Sequence, residues 1–237
     1  MKTLLLRLAA PLQSWGVDSK FERRATLREP TKSGVIGLCA AALGIRRGDG
    51  GSIRKISALK FGVRIDQPGT LLRDFHMAHT WDFSHPKQFG QSFISERFYL
   101  ADAVFLVGLS GDESLLREID AALRSPVFPL FLGRRSCPPA GKLSLGVADG
   151  DLLTVLRSYP SQASKWYRDS RIGRSEDEQK LEIIIDSDSG IPVCDFPLSY
   201  SQQNRHYGYR FTGREQINVG TKTSCTSHNA MALFGGN

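Results

Sequence analysis

Two stretches of this 237-residue chain carry residue types suited to chemistry. The first opens at Pro30-Thr-Lys-Ser-Gly34 and runs to Gly44. Thr31 or Ser33 can cap a helix there, and Gly44 stands where a left-handed C-terminal residue is wanted. Free N–H groups, two hydroxyls and the Lys32 ammonium at one helix start suit a phosphate. Val35, Leu38, Cys39 and Ala42 recur at helical spacing and give that helix one apolar stripe. Gly34 and Gly37 lie nearly on one face, where another backbone could approach. The plainer reading is a capped helix packed on a sheet, with Lys32 solvated.

The second stretch, residues 75–93, holds five aromatics and three of the chain's five histidines, with little aliphatic material. Phe75, His76, His79, Trp81 and Phe83 could stack on splayed bases, or they could form the small core of a hairpin. His76, His79 and His85 invite a zinc reading, but no cysteine joins them and Asp74 and Asp82 are the nearby carboxylates. No metal or other cofactor is expected. Metal-free RNA cleavage needs a base for the 2′-hydroxyl and an acid for the leaving oxygen. His76 or His79, with Lys32 or a tyrosine, has the right types, although no spacing demands catalysis. Arg134-Arg-Ser-Cys137 reads as a basic turn that contacts RNA phosphate or a partner. Arg168, Arg171 and Arg174 follow helical spacing and read as a solvated face.

The net charge of +7 and a pI near 9.4 favour an acidic partner. RNA, DNA and an anionic membrane all qualify, and the membrane is the weakest, because no apolar run reaches the length of a spanning helix. Arg7 interrupts the opening apolar run, so it is not read as a leader. Cys39, Cys137, Cys194 and Cys225 are far apart and form no C-x-x-C pair. Cys39 reads as a small core residue, and the set favours a reducing cytoplasm.

These residues need a scaffold, and periodicity supplies one. Residues 2–9 read as a buried strand, 11–16 as a turn and 21–29 as an exposed loop. The opening helix follows, then a glycine-rich loop at 46–52 and an ambiguous 53–59. Residues 60–67 alternate as a strand. Strand-like 71–75 and 94–100 bound a long hairpin that leaves the body. Residues 104–109 form a buried strand and 113–124 an amphipathic helix stopped by Pro126. Residues 128–132 read as a strand running into the basic turn, 142–147 as a strand, 150–158 as a short helix and 181–186 as a strand. Residues 162–180 read as a surface helix or a loop, and the tail from Pro192 as β-structure.

The chain resembles the CasD family, the type I-E CRISPR-associated subunits that cap Cascade surveillance complexes. The resemblance rests on Leu4-Leu-Leu-Arg-Leu8, Pro11-Leu-Gln-Ser-Trp-Gly16, Pro30-Thr-Lys-Ser-Gly34 with Gly37-Leu38, and Leu43-Gly-Ile45. It continues in Phe61-Gly-Val-Arg-Ile-Asp66, Arg97-Phe-Tyr-Leu-Ala-Asp-Ala-Val-Phe105 and Leu132-Gly-Arg-Arg-Ser-Cys-Pro138. Each piece alone is weak, but together and in order they make a specific match over most of the chain.

The resemblance implies an α+β fold. Residues 1–140 would form a ferredoxin-like, RRM-related domain with a thumb hairpin inserted at about 75–97, and residues 141–237 a smaller β-rich region. It implies a non-catalytic cytoplasmic subunit of a hetero-oligomer. That subunit would hold the 5′ repeat-derived handle of the crRNA, cap the backbone subunits and support the large subunit, and so act indirectly on target DNA. Together with the charge pattern it gives a candidate RNA-contact set of Gln13, Trp15, Thr31, Lys32, Ser33, Gly34, Arg64, Phe75, His76, His79, Arg97, Arg134, Arg135 and Ser136. The enzymatic alternative is a metal-independent endoribonuclease that processes CRISPR repeat RNA. A free DNA-binding regulator finds no helix-turn-helix or finger motif in its favour.

Overall fold

Eight consecutive residues, Lys2–Ala9, form the first strand, β1, and six of them are buried. That run marks a strand covered on both faces. In the computed structural model, which describes residues 1–16, 22–81, 89–170 and 180–218, β1 lies inside a seven-stranded sheet. It pairs antiparallel with β7 (Val104–Gly111), from Lys2↔Gly111 to Ala9↔Val104, and on its other side with β8 (Ser144–Asp149). β7 pairs antiparallel with β4 (Lys60–Gln67). The helices α1 (Lys32–Ala42) and α2 (Gly50–Ser57) lie between β1 and β4 in the chain, and α3 (Glu113–Arg124) lies between β7 and β8.

Alternation along β1 divides the interior into two cores. Leu4, Leu6 and Leu8 meet Val35, Leu38 and Cys39 of α1 and Leu116 and Ile119 of α3. Leu5 faces the other way, onto Leu152, Val155 and Leu156 of α4 (Leu152–Ser158). This smaller helix lies close to the sheet because Gly62 and Gly108, partners in the β4–β7 ladder, sit beneath it. A Cβ on Gly108 would stand 2.5 Å from a Leu152 methyl. Cys39 is fully enclosed, and burial pushes its thiol up to about 12.

The strands after residue 180 extend the same sheet. β9 (Lys180–Ser187) pairs with β4 and with β11 (His206–Asn218), and β10 (Ile191–Ser199) takes the edge. The order is β10-β11-β9-β4-β7-β1-β8. The expected division near residue 140 therefore coincides with no break in the sheet: β8 adds to one side of the central strands and β9–β11 to the other.

The long hairpin is β5 (Thr70–Trp81) with β6 (Phe89–Ala101), in register from Thr70↔Ala101 to Trp81↔Phe89. Every residue of β5 except Asp74 is exposed, so it stands clear of the core. Two short strands brace β6 near its base, β2 (Leu12–Gln13) and β3 (Arg23–Arg24). Phe83, His85, Asp82, Arg171, Arg174 and Cys225, named above, lie outside the described residues.

Residues 128–132 are not a strand. Prolines at 126, 129, 138 and 139 remove ladder donors, and the segment runs as a loop whose apolar residues still reach the core through Leu132 and Cys137. Gly133 has φ +87, and a Cβ there would lie 1.6 Å from the carbonyl oxygen of Ser14. Of the ambiguous 53–59, residues 53–57 belong to α2, capped by Asp49, whose carboxylate accepts from the Ser52 N–H at 3.0 Å.

Candidate nucleic-acid interface

The start of α1 does hold an anion, but one supplied by the chain itself. Thr31 is the N-cap and accepts from Gly34 N–H at 3.1 Å. The Lys32 N–H donates to Asp195 Oδ2 at 2.7 Å, and Lys32 Nζ lies 2.8 Å from Asp186 Oδ2. Arg210 closes the set. It donates to both Asp195 oxygens, at 2.5 and 2.9 Å, and to Asp186 Oδ1 at 2.8 Å. Two cations meet two carboxylates, so no charge is left over. Burial pushes the Lys32 ammonium down in pKa despite Asp186. Burial acts the same way on Arg210, but Asp195 and Asp186 outweigh it and hold that guanidinium up.

This corrects the phosphate reading of Thr31, Lys32, Ser33 and Gly34. Lys32 is 4% exposed, and Ser33 offers its carbonyl to the Tyr200 hydroxyl. Gly34 and Gly37 do allow close approach, though by side chains: the Trp15 ring covers Gly34 and the Tyr200 ring faces Gly37. The residues that decide the matter, Asp186, Asp195 and Arg210, were missed in the sequence. Their signal is charge at inward positions of otherwise alternating strands.

Gln13, Trp15 and Arg64 are likewise internal. Gln13 Nε2 donates to Ala103 O at 2.7 Å and to Leu8 O at 3.3 Å, and its Oε1 accepts from Trp15 Nε1 at 3.1 Å. Arg64 is 1% exposed. Its Nε and Nη2 pair with the Asp66 carboxylate at 2.6 and 3.0 Å, and Nη1 donates to Leu156 O and Tyr159 O at 2.6 Å each. Nη2 also reaches Pro160 O at 3.0 Å. A guanidinium has five N–H donors, and all five are used here, two on Asp66 and three on carbonyls at the end of α4. Arg64 has nothing left for RNA.

The remaining candidates gather on and around the hairpin. Arg97 on β6 lies beside Arg24, its register partner in β3. Tyr99, two residues on, shares that face. The Arg134 guanidinium lies 4.6 Å from the Tyr99 ring centroid, and its Nη2 donates to Arg24 O at 2.7 Å. Arg135 and Ser136 are exposed next to it. Burial alone would raise the Tyr99 phenol, but hydrogen bonds from Arg134 and Ser136 and the Arg134 charge bring it below its usual pKa. Arg97 Nε and Arg134 Nη1 are shielded from water and have no hydrogen-bond acceptor among the described residues. A buried donor left unmet costs about 1–3 kcal/mol or more when charged.

Register sorts the hairpin residues into two faces. Leu71, Arg73, Phe75, Met77 and His79 share one with Phe98, Glu96, Ile94 and Ser92. Phe75 is 55% exposed on that face, and Arg23 stacks over Phe98 at its base. Leu72, Asp74, His76 and Ala78 share the other with Tyr99, Arg97, Ser95 and Phe93. His76 therefore extends the arginine face, whereas His79, 2.9 Å from the Ser92 hydroxyl, points the opposite way. The two histidines do not form one acid–base site.

A family model described as CRISPR-associated protein (Cas_Cas5) matches residues 3–212. The CRISPR system Cascade subunit CasD of Escherichia coli (strain K12) is 37% identical over 157 residues, 60% of this chain and 70% of that protein. A crystal structure of a Cas protein superposes with a TM-score of 0.69 at 35% identity, covering 91% of this chain and 95% of the other. A chain of a CRISPR RNA-guided surveillance complex does so with a TM-score of 0.73 at 33% identity, covering 92% and 91%. With a family model over most of its length and two structural relatives above 30% identity covering over nine tenths of it, this chain belongs to the CRISPR-associated Cas5 family, in its type I-E CasD branch.

Proposed function

We propose that this chain is a non-catalytic, RNA-binding subunit of a Cascade complex in the cytoplasm, where it holds the 5′ handle of the crRNA and caps the filament of backbone subunits. The observation that carries the reading is the basic face at the base of the hairpin, where Arg134 lies over Tyr99 beside Arg24 and Arg97 and two guanidinium N–H groups have no acceptor among the described residues. RNA phosphate is the acceptor that a net charge of +7 favours. His76 and Phe93 continue that face and Phe75 the opposite one, all exposed and able to stack on unpaired handle bases. The strand order β8-β1-β7-β4, all antiparallel, with helices between β1 and β4 and between β7 and β8, supports reading the central unit as ferredoxin-like. The hairpin is then its thumb, engaging a neighbouring backbone subunit, while the body supports the large subunit over target DNA.

The test removes residues 75–93 and bridges the gap with a short Gly/Ser turn. The body keeps its sheet and both cores, because β5 contributes nothing buried to them, so the variant should unfold at an unchanged urea concentration. It should fail to assemble with guide RNA and backbone subunits, and neither form should cut repeat RNA. A folded variant that assembles normally, or site-specific cleavage that vanishes in His76→Ala, overturns the reading.

A further inference from the structure

Helix α5 (Lys165–Asp169) buries none of its own residues. A five-residue helix has no stability of its own in water, so its place is set by what lies beneath. The Gln162 N–H donates to Asp66 Oδ2 at 2.5 Å, and Ser164 donates to Gln67 Oε1 from its N–H at 3.2 Å and its hydroxyl at 2.7 Å. Asp66 and Gln67 are 1% and 2% exposed at the end of β4, and Arg64 grips Asp66 from the other side. Buried polar groups thus pin a segment whose side chains stand in solvent. Trp166 is 60% exposed and held edge-on by Tyr167, with ring centroids 5.7 Å apart and planes at 86°. Lys165 and Arg168 flank it and are exposed.

An exposed indole on a short helix that also carries exposed Lys165 and Arg168 offers what a single strand needs, a flat surface for a base and positive charge for nearby phosphates. We propose that α5 is a second single-stranded nucleic-acid contact, in which Trp166 stacks on a base while Lys165 and Arg168 hold the flanking phosphates. This contact is built on β4, apart from the arginine cluster on β3 and β6, and does not depend on the handle reading. Guide RNA and a DNA strand displaced from a target present the same chemistry.

Trp15 is 1% exposed, so in a Trp81→Phe chain the emission that responds to a ligand comes from Trp166. Titration of that full-length variant with oligo-U or oligo-dT should quench its emission. Trp166→Ala should weaken binding by roughly 5- to 150-fold, and Lys165→Ala with Arg168→Ala should flatten the salt dependence. Quenching by RNA alone points to the guide, by DNA alone to the displaced strand, and by both to a contact blind to the 2′-hydroxyl. Each of these supports the proposal. Quenching that persists in an Arg97→Ala/Arg134→Ala background separates this site from the handle grip. No quenching by either oligonucleotide, or protection of Trp166 by partner proteins in the absence of nucleic acid, overturns it.

Discussion

Two basic clusters among the described residues differ in how their charge is met. At the start of α1, Lys32 and Arg210 meet Asp186 and Asp195, and the charges cancel inside the protein. At the base of the hairpin, Arg134 lies over Tyr99, Arg24 and Arg97 are register partners beside it, and one guanidinium N–H of Arg97 and one of Arg134 have no acceptor among the described residues. The first cluster fastens the C-terminal strands to the first helix. The second is the one we propose as the grip on RNA phosphate. A helix N-terminus with a lysine is therefore no guide to a phosphate site until the internal carboxylates have been placed.

The largest effect expected from this contrast is on stability. Asp195→Ala leaves the Arg210 Nε and Nη2 donors and the Lys32 N–H unmet and Asp186 alone to face both Lys32 and Arg210, and breaking a buried pair from one side costs about 3–5 kcal/mol. That is a large part of the roughly 5–15 kcal/mol that holds a domain together, so urea denaturation should show an early transition or none. The next effect is on binding. Arg97→Ala and Arg134→Ala should each weaken handle-RNA binding by about 10- to 150-fold, the equivalent of a charge-assisted hydrogen bond, while the urea midpoint moves far less than in Asp195→Ala. The smallest is at Lys32. Lys32→Ala leaves Asp186 still paired with Arg210, so destabilisation of about 1–3 kcal/mol is expected, and RNA affinity of the folded fraction should be unchanged. If Lys32→Ala weakens RNA binding as Arg134→Ala does, the two clusters are not distinct.

How much of this was legible in the sequence follows the range of the interactions. β1, α1, β4, β7 and α3 were legible because their signal is local periodicity, and the Thr31 cap and Gly44 stop were legible because capping is chemistry within one turn. The hairpin could be read from its bounding strands. Lys32 and Arg64 could not be placed. The partners of Lys32 lie more than 150 positions away on β9 and β10, and those of Arg64 include carbonyls at the end of α4. An arginine in an alternating strand has the same sequence signature whether its face meets water or the end of another helix. Residues 128–132 misled for another reason: their apolar pattern reflects burial of Leu132 in a proline-rich loop, and burial without a ladder has no period of its own.

The most direct test of the central claim is the salt dependence of handle-RNA binding in the intact chain and in the Arg97→Ala/Arg134→Ala double variant. Single-stranded contacts contribute a log–log slope of about −0.7 each. If the hairpin-base cluster is the phosphate grip, the double variant should lose affinity and its slope should be shallower by about 1.4. Equal slopes and equal affinities in the two proteins would contradict the account.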